Sequence, residues 1–160
     1  MKAAIKEAQK AYTLEECPIG CVIVSDGKII ARGHNLKETK ANALLHAEIV
    51  AINKASKKLK NWHLDDCEMY VTLEPCTMCA GAMVQSRIKK VYFGAFEPKS
   101  GAVCSCNNIF DVSNGHNHLV ESEGGILEEE CSSIMKSFFK ERRLKHKQAD
   151  RNLQDKDNSL

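Results

Sequence analysis

The chain has 160 residues, 43% of them apolar, eight cysteines and a formal charge of +2. That length and composition predict one compact domain with its own core and exclude a fibrous or wholly disordered chain. No apolar run approaches the ~20 residues that cross a bilayer, which excludes a membrane-spanning helix, and so small a charge points to no partner by itself.

Residues 2 to about 12 read as an amphipathic helix, with Ile5, Ala8 and Tyr12 at helical spacing between Lys and Glu. Pro18 ends that segment, because the residue before a proline avoids helical angles. The β-branched run Ile19 to Val24, the turn Asp26-Gly27 and residues Lys28 to Arg32 predict a β-hairpin. After Gly33-His34-Asn35 comes a polar loop to about Asn42, then a helix from roughly His46 to Lys58 with a basic end that suits the helix dipole. Cys67 to Thr72 reads as a third strand, Cys76 to about Ser86 as a helix, and Val91 to Ala95 as a fourth strand.

Residues 97 to 117 read as irregular, with a short helix near Asn107 to Asp111. Leu119 to Glu121 adds a fifth, edge strand. A long helix runs from Ile126 to about Lys147, with Leu127, Cys131, Ile134, Met135, Phe138 and Phe139 in one apolar stripe. The alternation of helices and strands predicts an α/β fold, a mixed five-stranded sheet with helices on both faces. The expected division is a domain over residues 1–147 and a polar, flexible tail over 148–160.

The chemistry lies in His46-Ala47-Glu48 and Pro75-Cys76-Thr77-Met78-Cys79. An H-x-E followed by P-C-x-x-C is the signature of zinc-dependent nucleobase deaminases. Cys76 and Cys79 share one face of a helix start, where the dipole favours the thiolates that a metal needs. With His46 they make three ligands, and three protein ligands leave a zinc position for water, which marks a catalytic site. Glu48 is the expected proton carrier, taking a proton from water and returning it to the departing amine.

Other readings of these residues stand beside this one. A C-x-x-C pair also serves structural zinc sites and thiol redox, and Cys67, Cys104, Cys106, His116 or His118 could complete a four-ligand site. Neither reading explains the H-x-E. His34, His63 and His146 read as ordinary core or surface histidines. Without a secretory signal in the reading, the cysteines point to a reducing cytoplasm, with the remainder serving as small core residues.

Thr72-Leu73-Glu74-Pro75-Cys76-Thr77-Met78-Cys79-Ala80-Gly81-Ala82 resembles the second zinc motif of bacterial tRNA adenosine deaminases, within the cytidine deaminase superfamily. The resemblance extends through Pro18-Ile19-Gly20, Gly33-His34-Asn35, His46-Ala47-Glu48-Ile49, Phe93-Gly94-Ala95 and Phe138-Phe139-Lys140-Glu141-Arg142-Arg143. It implies a cytidine-deaminase-like fold, a homodimer, and conversion of adenosine to inosine at the wobble position of a tRNA anticodon. It implies one Zn²⁺ per subunit on His46, Cys76 and Cys79, with Glu48 as catalytic residue. It also implies substrate contacts by Asn35 and Glu97, and a last helix that meets the anticodon stem-loop through Phe139, Arg142 and Arg143. Asn42-Ala43-Leu44-Leu45 departs from the family's usual Asp-Pro-Thr-Ala, and Cys104 falls where the family usually has glycine.

Between Lys136 and Arg151 seven Lys or Arg face two acids, a local basic patch suited to phosphates. It also reads as a solvated helix face. A splayed base in a single-stranded loop fits what such an enzyme must reach. Two other functions fit the same chain: a deaminase of a free base or nucleoside of the guanine or cytosine type, and a non-catalytic RNA-binding subunit, which would not need Glu48.

Overall fold

A computed structural model describes the backbone of residues 1–157 and the side chains of residues 1–149. The elements are α1 (Lys2–Thr13), β1 (Gly20–Ser25), β2 (Lys28–His34), α2 (Ala47–Leu59), β3 (Cys67–Leu73), α3 (Thr77–Gln85), β4 (Lys90–Ala95), β5 (Glu121–Glu123) and α4 (Glu128–Asp157). The strands form one sheet in the order β2-β1-β3-β4-β5. β1 runs antiparallel to β2 and β3, whereas β3, β4 and β5 are parallel. This is the expected mixed five-stranded α/β sheet.

The hairpin forms where its turn chemistry demands. Asp26 and Gly27 both adopt positive φ, 49° and 71°, which matches the twist of the flanking strands. α1 and α4 pack on one face of the sheet, α2 and α3 on the other. Two glycines allow the helices to come close. A Cβ on Gly20 would lie 2.1 Å from the Ala4 carbonyl oxygen in α1, and one on Gly33 would lie 2.2 Å from that of Ala47 in α2. Between α2, α3 and the sheet, Ile23, Met69, Val71, Met83 and Phe93 fill a core that excludes water.

Three local expectations are corrected. Residues 107–111 form no helix; a single 3-10 turn lies at Val112–Asn114, started by the Asp111 carboxylate accepting the Ser113 N–H at 2.8 Å and ended by Gly115 at φ 68°. β5 sits two residues later than expected, because its register is set by parallel pairing of Glu121 with Lys90. α4 begins at Glu128, with three glutamates in its first turn, and continues through Asp157 rather than ending near Lys147. The expected flexible tail at 148–160 falls partly on side chains from 150 onward and on residues 158–160, which lie outside the described residues. Among the described residues no helix is long and apolar enough to cross a membrane.

The topology gathers loops at one end of the sheet. β1 begins there, and β2, β3 and β4 end there. The segments 17–19, 35–46, 74–76 and 96–106 therefore share that end; Asn35, His46, Cys76 and Glu97 lie on them, and Glu48 and Cys79 lie just inside the following helices.

Candidate active site

His46 and Cys76 occupy equivalent places. Each has extended backbone angles and stands as the N-cap of a helix, His46 of α2 and Cys76 of α3. Their carbonyls accept the first helical bonds, from Val50 N at 3.0 Å and Ala80 N at 2.9 Å. Neither cap is closed by a side chain, so two positive helix ends face the space between them. That space is ready for anionic sulfur.

The Nδ1 of His46 lies 3.6 Å from Sγ of Cys76 and 3.6 Å from Sγ of Cys79. Zinc bonds of about 2.3 Å to sulfur and about 2.0–2.1 Å to nitrogen, held at the tetrahedral angle, separate S from N by about 3.6 Å. Both nitrogen–sulfur sides therefore match a zinc face, all three ligand atoms lie within 4.8 Å of one another, and these three are the one His/Cys/Asp/Glu cluster of that kind among the described residues. The hydrogen bond from Cys79, with help from His46, pulls the Cys76 thiol down to about 4, while the same contact pushes Cys79 up. Cys104 and Cys106 are exposed and outside the cluster, so they do not complete a four-ligand structural site.

Glu48 is the second residue of α2, in its first turn, 4% exposed and beside Cys79. Burial raises its pKa. Its Oε2 is the one buried side-chain oxygen or nitrogen without a hydrogen-bond partner among the described residues. A native fold rarely leaves such an atom unsatisfied, because the lost solvation costs about 1–3 kcal/mol. An orphaned carboxylate oxygen beside a metal-sized triangle is an acceptor held for something the protein binds.

Residues 1–143 match the family described as MafB19-like deaminase. Over 153 residues the chain is 50% identical to the tRNA-specific adenosine deaminase of Bacillus subtilis (strain 168), covering 96% of this chain and 94% of that protein. The chain belongs to the tRNA-specific adenosine deaminase family. A solved structure from a study of A-to-I editing by tRNA:A34 deaminases at the wobble position matches with a TM-score of 0.81 and 40% identity, over 84% of this chain and 96% of that one. The fold is thus that of this deaminase family, as expected. The guanine deaminase of Bacillus subtilis is similar over a smaller part, with TM-score 0.58 and 39% identity across 68% of this chain and 69% of that one.

The outer residues expected in this deaminase's site fall into two groups. Asn35 is buried, its backbone N–H on the Ile19 carbonyl and its Nδ2 donating to Glu16 Oε2 at 2.9 Å. Leu36 N donates to the Leu45 carbonyl, which sets Asn35 next to the strand of backbone entering His46. Glu97 is half-buried, and its carboxylate caps the Lys99 N–H at 2.9 Å. Both Glu97 and Arg142 act on Cys17, whose thiol is pushed up to about 11 by burial and by Glu16, against the opposing charges of Lys37 and Arg142. Arg142 also lies over the Phe138 ring, 5.7 Å from its centroid, and lines a groove of about 510 Å³ with Tyr12, Glu15, Glu38 and Lys145. That groove contains neither the three ligands nor Glu48.

Phe138 and Phe139 do not share one face of α4, contrary to the stripe read from sequence. Phe138 is buried against Tyr12 at 5.4 Å between ring centroids, and Phe139 is 42% exposed. Arg143 is exposed.

Three buried carboxylates were missed by the sequence reading: Glu7, which pairs with Lys10 and His34, and two that hold the loops beside the site. Glu16 is fully buried and Glu74 is 3% exposed. Glu74 Oε1 accepts the backbone N–H groups of Cys104 and Ser105 at 2.9 Å, and Oε2 accepts that of Glu97 at 3.0 Å and the Ser105 hydroxyl. It thereby fixes the loop 97–105 beside Cys76. The available signal was a glutamate flanked by Leu73 and Pro75, a place with no reason to be charged unless it is bonded.

Proposed function

We propose that this chain is a zinc-dependent deaminase that converts adenosine to inosine at the wobble position of a tRNA anticodon. The observation that carries the chemistry is the unpartnered Glu48 Oε2 beside the His46–Cys76–Cys79 triangle. The choice of substrate is supported by the 50% identity along nearly the whole chain to a tRNA-specific adenosine deaminase. Glu48 also argues against a non-catalytic RNA-binding subunit.

In this reading His46, Cys76 and Cys79 hold one Zn²⁺ per subunit. When bound, zinc supplies a Lewis acid that brings the pKa of a water to about 7. Glu48 carries the protons: Oε2 takes one as water adds to C6 of the purine and passes it to the ring nitrogen N1, then the carboxylate takes the second from the new C6 hydroxyl and gives it to the amine, which leaves as ammonia while the C6 carbonyl forms. Adenosine and water become inosine and ammonia. Asn35 orients the flipped nucleotide, and Phe139, Arg142 and Arg143 receive the anticodon stem-loop on the exposed face of α4. The chain acts in the cytoplasm as a homodimer.

The experiment is to incubate zinc-loaded protein with an anticodon stem-loop RNA bearing adenosine at the wobble position. Free guanine, cytosine, adenosine and cytidine run in parallel, with inosine and ammonia measured. Inosine in the RNA with the free compounds unchanged is the expected result. Ammonia from guanine with the RNA unchanged would move the chain to the small-molecule branch, to which it is also similar in part.

A further inference from the structure

The Asn35 side chain is not free to choose which end it offers. Glu16 is fully buried, and both of its oxygens accept: Oε2 takes Nδ2 of Asn35 at 2.9 Å and Oε1 takes the backbone N–H of Thr39 at 2.6 Å. A flipped Asn35 would set its Oδ1 against a carboxylate oxygen, two acceptors with no proton between them. The amide is therefore pinned with nitrogen toward Glu16. Oδ1 makes no hydrogen bond among the described residues, yet it is not among the sealed and unpartnered atoms, so solvent reaches it. The Thr39 contact places the same carboxylate on the loop that leads from Asn35 back to His46.

We propose that Glu16 is a positioning residue: it locks the Asn35 amide so that Oδ1 is held toward the substrate nucleotide as an acceptor. The nucleotide must then bring an N–H or O–H to this point. This rests on the site reading above, in which Asn35 meets the substrate, and it adds the residue that fixes the polarity of that contact.

A reciprocal exchange tests it. In Glu16→Gln one acceptor oxygen becomes a donor, so Asn35 or Thr39 loses its partner and the Asn35 amide can turn its nitrogen to the substrate. In Asn35→Asp two carboxylates face each other. In the double variant E16Q/N35D the new glutamine accepts from Thr39 N–H and donates to the new aspartate, whose other oxygen again faces the substrate as an acceptor. Each single variant is expected to lower kcat/KM on the stem-loop RNA about 10- to 100-fold per zinc-loaded molecule, assayed well below every variant's Tm, from the loss of a charge-assisted bond. The double variant is expected to return to within about threefold of the original, since the paired changes couple rather than add.

The side-chain amide protons of Asn35, followed by ¹⁵N NMR without RNA, are expected to exchange slowly in the original protein and quickly in Glu16→Gln. Unchanged protection or unchanged kcat/KM in Glu16→Gln would overturn the proposal. So would a double variant no better than the singles, which also decides the case if a single variant does not fold. If the original protein makes no inosine, the substrate reading fails while the amide measurement still judges the lock.

Discussion

Glu74 Oε1 accepts the backbone N–H of Cys104 at 2.9 Å, across a sequence separation of 30 residues. Burial alone would raise the pKa of this carboxyl, but the Ser105 hydroxyl and the N–H groups of Glu97, Ser105 and Cys104 outweigh it and hold it near 2. The loop after β4 is thus anchored to the residue that precedes Pro75-Cys76. The anchor is an ion that prefers to stay charged.

The first prediction concerns acid. The Glu74 carboxyl has a lower pKa folded than unfolded, about 2 against 4.5, so its contribution is present in full above pH 4.5 and fades as pH falls toward 2. A difference of that size corresponds to roughly 3 kcal/mol. Urea unfolding of the original protein and of Glu74→Gln should differ most at pH 6 to 7 and converge only as pH falls to about 2. A constant gap across that range would show that Glu74 works through packing rather than charge.

Glu48 should behave oppositely. It is buried without a partner for Oε2, so the fold bears its cost and gains nothing from the charge. Glu48→Gln is expected to keep zinc, to melt no lower than the original protein, and to lose at least about 100-fold in turnover, as general acid–base catalysis would require. A variant that loses stability along with activity would assign Glu48 a structural role.

Metal content separates the cysteines. Cys76→Ser or Cys79→Ser is expected to remove zinc and lower Tm, because binding free energy at such a site is folding free energy. Chelation should do the same, with Tm and inosine formation both returning on adding Zn²⁺. The double variant Cys104→Ser, Cys106→Ser should retain one zinc per chain, since both thiols are exposed and lie outside the ligand triangle. Zinc loss in that variant, measured by elemental analysis, would restore the four-ligand reading.

Local rules account for what was legible in the sequence. Asp26-Gly27 announced its turn because both residues take positive φ, and His46 and Cys76 announced their place because ligands at helix starts come with fixed spacing. Glu16 and Glu74 were not legible, because most of their partners are backbone N–H groups 23 to 31 residues away, which carry no sequence identity, and the side chains that join them, Asn35 and Ser105, lie 19 and 31 residues off. The position of β5 depends on pairing with Lys90–Tyr92, again a relation that no local pattern records. Phe138 and Phe139 are adjacent and alike in composition; only the approach of Tyr12 in α1 tells them apart.

That last distinction predicts a clean separation of stability from binding. Phe138 is 4% exposed, with Tyr12 on its edge and Arg142 over its face. Phe138→Ala should cost about 3–5 kcal/mol of stability, as a large aromatic removed from a core does. Phe139→Ala removes an exposed ring and should leave Tm within about 1 °C or 2 °C, since surface changes usually stay within about 0.5 kcal/mol. If Phe139 stacks on an unpaired base, its loss should weaken stem-loop binding by about 1–3 kcal/mol at fixed salt. Arg143→Ala should instead flatten the salt dependence of binding, by about 0.7–0.9 in the slope of log K against log salt, the mark of one phosphate contact. Equal RNA affinity for Phe139→Ala and the original protein would remove this ring from the interface and leave the basic residues of α4 to carry the contact alone.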